Sequence, residues 1–456
     1  MREALTIAYV GDTSRLPPAA WGRLARVVRD LRAAGRCDVL LHAGDVDLSP
    51  PAGAASAAVL NRLGADAVAL GNHDLDGGLD FLQAQAAVLR APLLCANVAG
   101  GPAGWVRPHR LLRRRGWRIA VVGLTLPDFA AYQPDRNVAG LAFGEPAAAL
   151  ERVLRRLNGR ADVVVVLSHC GYEPDRELLR RQPAVALVVG GHSHLLLPEP
   201  VLVGHGWVAH AGAEGTHVGW VELRRSGEGV TVRGGAVPTA GMDPDPRTVR
   251  LAERARDPAD EEVVGYAATD LRAPDDFRET PFADLLVDLI RERAGTEVAL
   301  LRCAAVRNCV GPGPLRRADL RRLNANGADR IAVLALTGEE LLGLLECGAQ
   351  EPYYLLTVSG GLITYDFDRP CGQRVVRVEI GARALDPARR YTVACSEYLA
   401  RGVSVYTPLR GTAFDTLPVS ADDVLGDYLA REHVLQARVD GRVLVLGEVD
   451  RDSWRS

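Results

Sequence analysis

The first half of the sequence alternates short apolar runs with stretches of helical spacing. The apolar runs, which we predict to be strands, are Leu5–Val10, Val39–His42, Ala67–Leu70, Leu93–Ala96, Ile119–Leu124, Val163–Ser168 and Ala186–Val189. The stretches with helical spacing are Pro18–Ala34, Ala54–Leu63 and Pro146–Leu157. This alternation predicts an α/β domain whose strands are largely buried.

A chain of 456 residues is too long for one ordinary hydrophobic core, so two domains are expected. Residues 200–237 carry Gly-punctuated strands that are predicted to close the first domain. Three prolines between Pro238 and Pro246 then interrupt the pattern. We predict a first domain at 1–240, a linker at 241–275 and a second, smaller α/β domain at 276–456. The helices predicted in the second domain are Phe282–Ala294 and Thr337–Cys347, and its strands are Val298–Leu301, Ile331–Leu336, Val375–Ile380 and Tyr391–Cys395.

Composition narrows the possible partners. A formal net charge of −3 argues against a nucleic-acid surface. No apolar run reaches the roughly 18 residues of a membrane span, so no membrane association is predicted. The first residues lead directly into a predicted strand without the features of a secretory signal, so a cytoplasmic location is expected.

Polar side chains with metal-binding or acid–base chemistry follow five of the predicted strands. They are Asp12, Asp45, Asn72 with His73, His169, and the pair His192 and His194, and glycines lie beside most of them. Because ligand sites in α/β sheets gather at the carboxyl ends of strands, these side chains are expected to meet. Any one of them alone could be a helix cap or a turn residue, but the ordered set favours a functional site.

The chemistry of this set suits a metal centre. Carboxylate, carboxamide and imidazole ligands together fit Zn²⁺, Mn²⁺ or Fe. Asp45 is the natural bridge, since one carboxylate can ligate two cations. Two metals about 3.5–4 Å apart can hold a phosphoryl group for in-line attack. The sequence therefore predicts one or two divalent transition metals.

These motifs resemble the ordered motifs of the calcineurin-like metallophosphoesterases. In chain order they are Asp12, Gly44-Asp45, Gly71-Asn72-His73-Asp74, His169 and Gly191-His192-Ser193-His194. Leu94–Val98 and four later segments are similar to the narrower 5′-nucleotidase family, which also includes 2′,3′-cyclic phosphodiesterases, UDP-sugar hydrolases and thiosulfohydrolases. The later segments are Glu279–Leu286, Leu336–Leu341, Ser359-Gly360 and Leu385–Val393. The resemblance implies a metallophosphoesterase β-sandwich flanked by helices, followed by a smaller α/β domain that recognises the substrate.

The resemblance also implies a role for each site residue. One metal would be held by Asp12, Asp45 and His194, and the other by Asp45, Asn72, His169 and His192. His73 would be an acid that is not a metal ligand, and Asp76 would orient it. A carboxylate that holds an imidazole fixes its proton and tautomer, so this assignment is chemically reasonable.

The first metal site departs from the family pattern. The family's first motif is Asp-x-His, but Ser14 stands at the histidine position here. His42, three residues before Asp45, could compensate for the missing ligand. The alternative is that His42 is a buried histidine with a backbone partner.

The second domain departs further, in the residues expected to bind substrate. The glycines of the family's Asn-Gly-Gly-Gly-Ile-Arg motif are replaced, although Arg307 keeps its place and could pair with an anionic group. In the two segments where the family supplies an aromatic clamp for a nucleobase, Asn326 to Asp329 has no ring and the other keeps only Tyr406. Either nucleotide specificity is weakened or another ring fills the role. We predict Arg307, Asn326, Asp329 and Tyr406 as substrate contacts.

The predicted activity is hydrolysis of a phosphate ester of a small metabolite, nucleotide-like or sugar phosphate, by metal-activated water. One alternative is another hydrolysis on the same centre, of a cyclic phosphodiester or a sulfur ester. A second alternative is a binding or regulatory protein with a partly decayed metal site. The missing histidine favours decay, whereas the intact pair of His73 and Asp76 favours an enzyme.

Overall fold

The computed structural model describes residues 4–14, 16–46, 48, 53–133, 135–227, 229–255, 258–271, 279–306, 310–323, 329–350, 354–403 and 405–447. The chain divides into two compact units, Met1–Asp257 and Pro258–Ser456. Each has its own sheets and its own hydrophobic core. Among the helices within these described ranges, none is both long enough and apolar enough to cross a bilayer.

The first unit alternates strands and helices as the sequence predicts. Its strands are β1 Leu5–Val10, β2 Val39–His42, β3 Ala67–Ala69, β4 Leu93–Leu94, β5 Val98–Gly100, β6 His109–Arg114, β7 Trp117–Thr125, β8 Leu141–Phe143, β9 Val163–His169, β10 Leu187–Gly190, β11 Val201–Val203, β12 Gly206–His210, β13 His217–Ser226 and β14 Gly229–Pro238. Its helices are α1 Pro18–Ala33, α2 Gly53–Leu63, α3 Leu79–Val88, α4 Asp135–Val138, α5 Pro146–Leu157, α6 Tyr172–Arg181 and α7 Pro246–Arg254. The seven strands predicted in the first half begin and end within two residues of the observed ones.

Two six-stranded sheets form a sandwich in this unit. Their strand orders are β14-β13-β1-β2-β3-β4 and β11-β12-β10-β9-β7-β6. Strands β1 to β4 run parallel to one another, as do β7, β9, β10 and β12. Parallel neighbours end at the same edge of a sheet, so the residues after these strands are brought side by side.

The core of the sandwich follows from the alternation of side chains along each strand. Tyr9, Val121 and Val165 belong to a buried cluster that joins the inner faces of the two sheets. Ala8, the neighbour of Tyr9, faces the other way and packs with α1 and α2, while α5 and α6 cover the outer face of the second sheet. The predicted sandwich flanked by helices is confirmed.

The range predicted as a linker contains regular structure of both units. Helix α7 begins after Asp245, whose carboxylate accepts a hydrogen bond from the Thr248 amide at 2.9 Å. The same carboxylate pairs with Arg29 of α1 and Arg62 of α2, each at 3.3 Å, so α7 belongs to the first unit. Strand β15, Val263–Ala267, pairs with β17, Gly313–Arg316, in the second unit.

The second unit is also α/β, as predicted. Its remaining strands are β16 Val298–Arg302, β18 Arg330–Thr337, β19 Leu356–Ser359, β20 Gly361–Asp366, β21 Val375–Ile380, β22 Arg383–Ala384, β23 Arg390–Ser396, β24 Asp415–Ser420, β25 Val434–Leu435 and β26 Val443–Leu446. Its helices are α8 Pro281–Ala294, α9 Arg317–Leu323, α10 Gly338–Gly348, α11 Glu397–Ala400 and α12 Ala421–Glu432. The strands form sheets of five, four and three strands.

Capping explains where two helices of this unit begin. The Thr280 hydroxyl accepts a hydrogen bond from the Ala283 amide at 3.2 Å at the start of α8. At the start of α10, Thr337 and Glu340 form a reciprocal capping box. Both predicted helices start within one residue of the observed ones.

Candidate metal centre

Two buried aspartates follow the first two strands of the sandwich. Asp12 comes after β1 and Asp45 after β2, and their exposed fractions are 4% and 3%. The turns that carry them are joined by hydrogen bonds from the Asp12 amide to the Gly44 carbonyl (3.0 Å) and from the Thr13 amide to the Asp45 carbonyl (2.9 Å). Both carboxylates are therefore fixed at the same edge of the first sheet.

Backbone strain is concentrated in these turns. Among the described residues, nine that are not glycine have positive φ. Four of the nine are predicted metal ligands, namely Asp12 (51°), Asp45 (54°), His192 (72°) and His194 (56°). Side-chain-bearing residues rarely adopt this conformation, and where they do the strain commonly marks a functional site.

Close packing in the turns requires glycine at two positions. A Cβ at Gly44 would lie 2.5 Å from Nδ1 of His169, and a Cβ at Gly71 would lie 2.1 Å from the amide nitrogen of Asp45. Neither position can hold a side chain without displacing a site residue. The glycines beside the polar residues are thus part of how the site is assembled.

When its ring is neutral, His169 presents a lone pair to two oxygens. Its Nδ1 lies 2.7 Å from the Ala43 carbonyl, which only accepts, so Nδ1 carries the proton. Its Nε2 faces Oδ2 of Asp45 at 3.3 Å and Oδ1 of Asn72 at 3.2 Å. A neutral ring would place three lone pairs together, and a cation between them would satisfy all three. A histidine that donates its other N–H to a carbonyl is the usual arrangement for a metal ligand.

The electrostatics of the pocket also favour positive charge. Burial disfavours a charged His169, but the Asp45 carboxylate and then Asp12 outweigh that effect and raise its pKa to about 10. Burial, reinforced by His169, lowers the pKa of His192 to about 3, so its ring is neutral and able to coordinate.

His192 joins the two sheets at the site. Its Nδ1 lies 3.1 Å from Oδ1 of Asn72, and its amide donates to the Asp12 carboxylate at 3.0 and 3.1 Å. Nε2 of His194 lies 3.6 Å from Oδ1 of Asp12. Asp12, Asp45 and His169 offer ligand atoms within 4.8 Å of one another. The structure therefore brings together all six residues predicted as ligands, and their donor set fits a divalent transition metal.

Ser14 and His42 occupy other roles near Asp45. The Ser14 hydroxyl donates to the Asp45 carbonyl at 3.2 Å. His42 is buried, and its Nε2 lies 2.8 Å from the Thr13 hydroxyl, while its Nδ1 has no hydrogen-bond partner among the described residues. The hydrogen-bond partner of His42 is a side chain, not the backbone group that the sequence suggested.

The predicted acid–base pair is formed. Nδ1 of His73 lies 3.0 Å from Oδ2 of Asp76, and both side chains are about one-third exposed, at 32% and 31%. The His73 amide donates to Oδ1 of Asp45 at 2.8 Å. The ring is thus attached to the metal-ligand turn through its backbone and remains open to solvent.

Residues 5–196 match the family described as calcineurin-like phosphoesterase, and residues 263–410 match the 5′-nucleotidase C-terminal domain. The chain belongs to the 5′-nucleotidase family of calcineurin-like phosphoesterases. It is accordingly an enzyme of the phosphoesterase class, and its reaction class is phosphoester hydrolysis.

Relatives of the 5′-nucleotidase family are similar over nearly the whole chain. Protein UshA of Yersinia enterocolitica is 24% identical over 90% of this chain and 86% of its own length. A solved 5′-nucleotidase precursor from Thermus thermophilus is 27% identical with a TM-score of 0.80, covering 98% of this chain and 100% of that one. A solved sulfate thiohydrolase, SoxB, from Thermus thermophilus shares the fold, with 21% identity, a TM-score of 0.75 and coverage of 98% and 97%.

The substrate contacts predicted from the 5′-nucleotidase resemblance are placed differently. Arg307 and Asn326 lie outside the described residues, and Asp329 is half-buried just before β18. Tyr406 is fully buried in the core of the second unit, where its hydroxyl donates to the Tyr354 carbonyl. A ring without exposed surface cannot stack on a base, so Tyr406 is corrected from a substrate contact to a core residue.

Sequence reasoning missed residues that support the site. Asp74 is fully buried, and its carboxylate accepts hydrogen bonds from the Val46 and Gly71 amides, each at 2.9 Å. Burial and then the Asp45 charge raise its pKa to about 7. Asp74 lies inside the motif 71–74, so its position could have suggested this role. Gln133 also contacts the site, but no motif surrounds it.

Proposed function

We propose that this 5′-nucleotidase-family enzyme hydrolyses a phosphate ester of a small metabolite, nucleotide-like or sugar phosphate, and depends on one or two divalent transition metals, Mn, Zn or Fe. The observation that carries the proposal is the convergence on Oδ1 of Asn72, which faces ring nitrogens of His169 at 3.2 Å and His192 at 3.1 Å. When His169 is neutral, its Nδ1 proton is donated to the Ala43 carbonyl, so a lone pair on Nε2 faces this oxygen and a cation between the two would be bound by both.

The ligand roles follow from the placement of the side chains. Asp45, Asn72, His169 and His192 would hold one metal, and Asp12, Asp45 and His194 would hold the other. When bound, such ions supply Lewis-acid polarisation of the phosphate and lower the pKa of water. The first site has one ligand fewer than the family pattern because Ser14 stands at the histidine position, and its hydroxyl donates to the Asp45 carbonyl.

His73 is proposed to protonate the leaving oxygen or to stabilise the transferring phosphoryl group. The Asp76 carboxylate, 3.0 Å from Nδ1, accepts a hydrogen bond from the N–H at that position and stabilises the imidazolium form. Nε2 then carries the proton that is given up, and the partial exposure of the ring leaves room for a substrate.

The burial of Tyr406 supports a substrate that does not depend on base stacking. A small phosphorylated metabolite remains the proposed partner. The cytoplasmic location, and the absence of nucleic-acid and membrane partners, stay predictions from the sequence.

The experiment is phosphate release from a panel of esters by purified enzyme, after chelation and after addition of Mn²⁺, Zn²⁺ or Fe²⁺ singly. The panel contains AMP, a sugar phosphate and an aryl phosphate, with a cyclic phosphodiester and a thiosulfate ester for the alternative hydrolyses. We expect turnover of at least one monoester, only with added metal. Turnover of the cyclic or sulfur ester alone would replace the proposed substrate class, and no turnover with any metal would favour a decayed site.

A further inference from the structure

Gln133 lies beside the proposed acid–base pair although it is far from it in sequence. Its side chain is buried, with 2% of the residue exposed. Nε2 donates to the Asn72 carbonyl and to Oδ1 of Asp76, both at 2.6 Å. One amide group therefore joins the backbone of a proposed metal ligand to the carboxylate that holds His73.

The orientation of this amide is fixed by its partners. Both groups that face Nε2 are acceptors, so the nitrogen must be on that side. Oε1 of Gln133 accepts from Nδ2 of Asn137 at 3.0 Å, and the same Nδ2 lies 3.1 Å from the Asp76 carbonyl. Every donor in the group thus has an acceptor. The flipped amide would place Oε1 against two acceptor oxygens and Nε2 against the side-chain nitrogen of Asn137.

Asp76 is held through both of its carboxylate oxygens. Oδ1 accepts from Gln133 and Oδ2 faces Nδ1 of His73 at 3.0 Å. We propose that Gln133 is a positioning residue, which fixes the Asp76 carboxylate so that His73 is held in one orientation over the metal-ligand turn. This inference rests on the proposed function, because it assigns Gln133 a role through His73.

The segment that carries Gln133 contacts the site at a second point. The ring of Tyr132 meets the ring of His192 edge to face, with centroids 5.5 Å apart and an interplanar angle of 86°. The segment is therefore packed against both the acid–base pair and a proposed ligand. Small displacements of a reacting group are costly in rate, so loss of the Gln133 amide is expected to act on turnover.

The test compares Gln133→Met, which keeps the length of the side chain but removes the donor, with Gln133→Glu, which keeps the shape but faces Asp76 with a second carboxylate. Both are made in the wild-type enzyme and in a His73→Ala background. The matched control is Gln182→Met, which removes a glutamine that bonds to Glu151. Steady-state kcat and KM and the metal content are measured for each.

We expect Gln133→Met to lower kcat about tenfold to a hundredfold with little change in KM, as for other residues that orient a functional group. In the His73→Ala background the further loss should be less than about twofold, because the group being positioned is gone. Gln133→Glu should be at least as slow as Gln133→Met. Metal content should stay at the wild-type value, and Gln182→Met should keep wild-type kcat.

Equal losses of kcat in the wild-type and His73→Ala backgrounds would overturn the inference, as would a Gln133→Glu variant with kcat close to the wild-type value. Either result would show that Gln133 does not act by positioning Asp76 and His73. A variant that loses metal would overturn it as well, since Gln133 would then act through Asn72. If the wild-type enzyme releases phosphate from no ester, the proposed function fails and takes this inference with it. Additive losses in an active enzyme overturn this inference alone.

Discussion

Nδ1 of His192 lies 3.1 Å from Oδ1 of Asn72, and the two residues follow strands of different sheets. Asn72 comes soon after β3 in the first sheet, and His192 follows β10 in the second. The same His192 contributes its amide to the Asp12 carboxylate. The proposed metal centre therefore depends on how the two sheets of the sandwich are packed, and a change that shifts one sheet is expected to disturb the ligands.

The roles of His73 and His192 can be separated by substitution. His73→Ala should retain metal and lose about 10²–10⁴-fold in kcat, because the ring acts as an acid and not as a ligand. His192→Ala should lose metal and activity together. Elemental analysis with steady-state kinetics measures both. An empty site in His73→Ala would make His73 a ligand and the assigned roles incorrect.

Gly71→Ala is expected to disrupt the centre from the backbone. The new Cβ would meet the Asp45 amide nitrogen at 2.1 Å and its Oδ1 at 2.3 Å, so the carboxylate must move. Metal affinity should fall, and metal titration of the variant measures it.

The control is Gly343→Ala in α10, where no heavy atom of the described residues lies within 4 Å of the new Cβ, helix backbone aside. That change should stabilise the protein by about 0.5–1 kcal/mol. Wild-type metal affinity in Gly71→Ala would contradict the close packing at this turn.

Selectivity for AMP should be weak. Base stacking on an aromatic ring contributes about 1–3 kcal/mol, but Tyr406 is buried. The kcat/KM for AMP should exceed that for a simple aryl phosphate by less than about tenfold. Tyr406→Leu should leave this ratio unchanged, because damage to the core lowers both rates alike. A strong preference for AMP that disappears in Tyr406→Leu would return this residue to the substrate site.

The stability of the second domain should fall as the pH rises. Burial and then the neighbouring Glu279 raise the pKa of Asp284 to about 8, whereas an unfolded aspartate titrates near about 3.9. Between those pH values the folded state binds a proton at Asp284 that the unfolded state lacks. The contribution of this carboxyl to the free energy of unfolding is therefore fully present below about pH 4 and is lost as the pH rises toward 8.

Asp284→Asn should flatten that dependence, because an amide needs no proton. Urea unfolding between about pH 5 and 9 measures the slope. The variant should be more stable than wild type at the alkaline end, and Asp427→Asn, an exposed position on α12, should keep the wild-type slope. Parallel pH profiles for wild type and Asp284→Asn would show that the carboxyl is ionised in the folded protein.

The sequence was informative where function and local structure share a motif. The strands that lead to Asp12, Asp45 and His169 could be located because the apolar runs and these polar residues are close together in the chain. Parallel pairing then explains why those residues meet. The six predicted ligands are therefore found together, although their roles stay proposals.

The sequence was uninformative about contacts and burial that depend only on tertiary packing. Gln133 lies 57 residues from Asp76, and no local pattern records that their side chains meet. Tyr406 is predicted as a substrate contact because of its alignment with a family segment, but its burial depends on how α10 and the neighbouring strands pack over it. Neither the contact between Gln133 and Asp76 nor the burial of Tyr406 can be recognised from a short segment of the sequence.

The most direct test of the account is the metal content of wild-type protein compared with Asn72→Leu, which removes the converging oxygen with little change in volume. Elemental analysis after equilibration with Mn²⁺, Zn²⁺ or Fe²⁺ should give at least one equivalent per chain for the wild type, and clearly less for Asn72→Leu. Phosphate release should fall in parallel. Full activity in metal-free wild-type protein, or equal metal content in both proteins, would contradict the proposed centre.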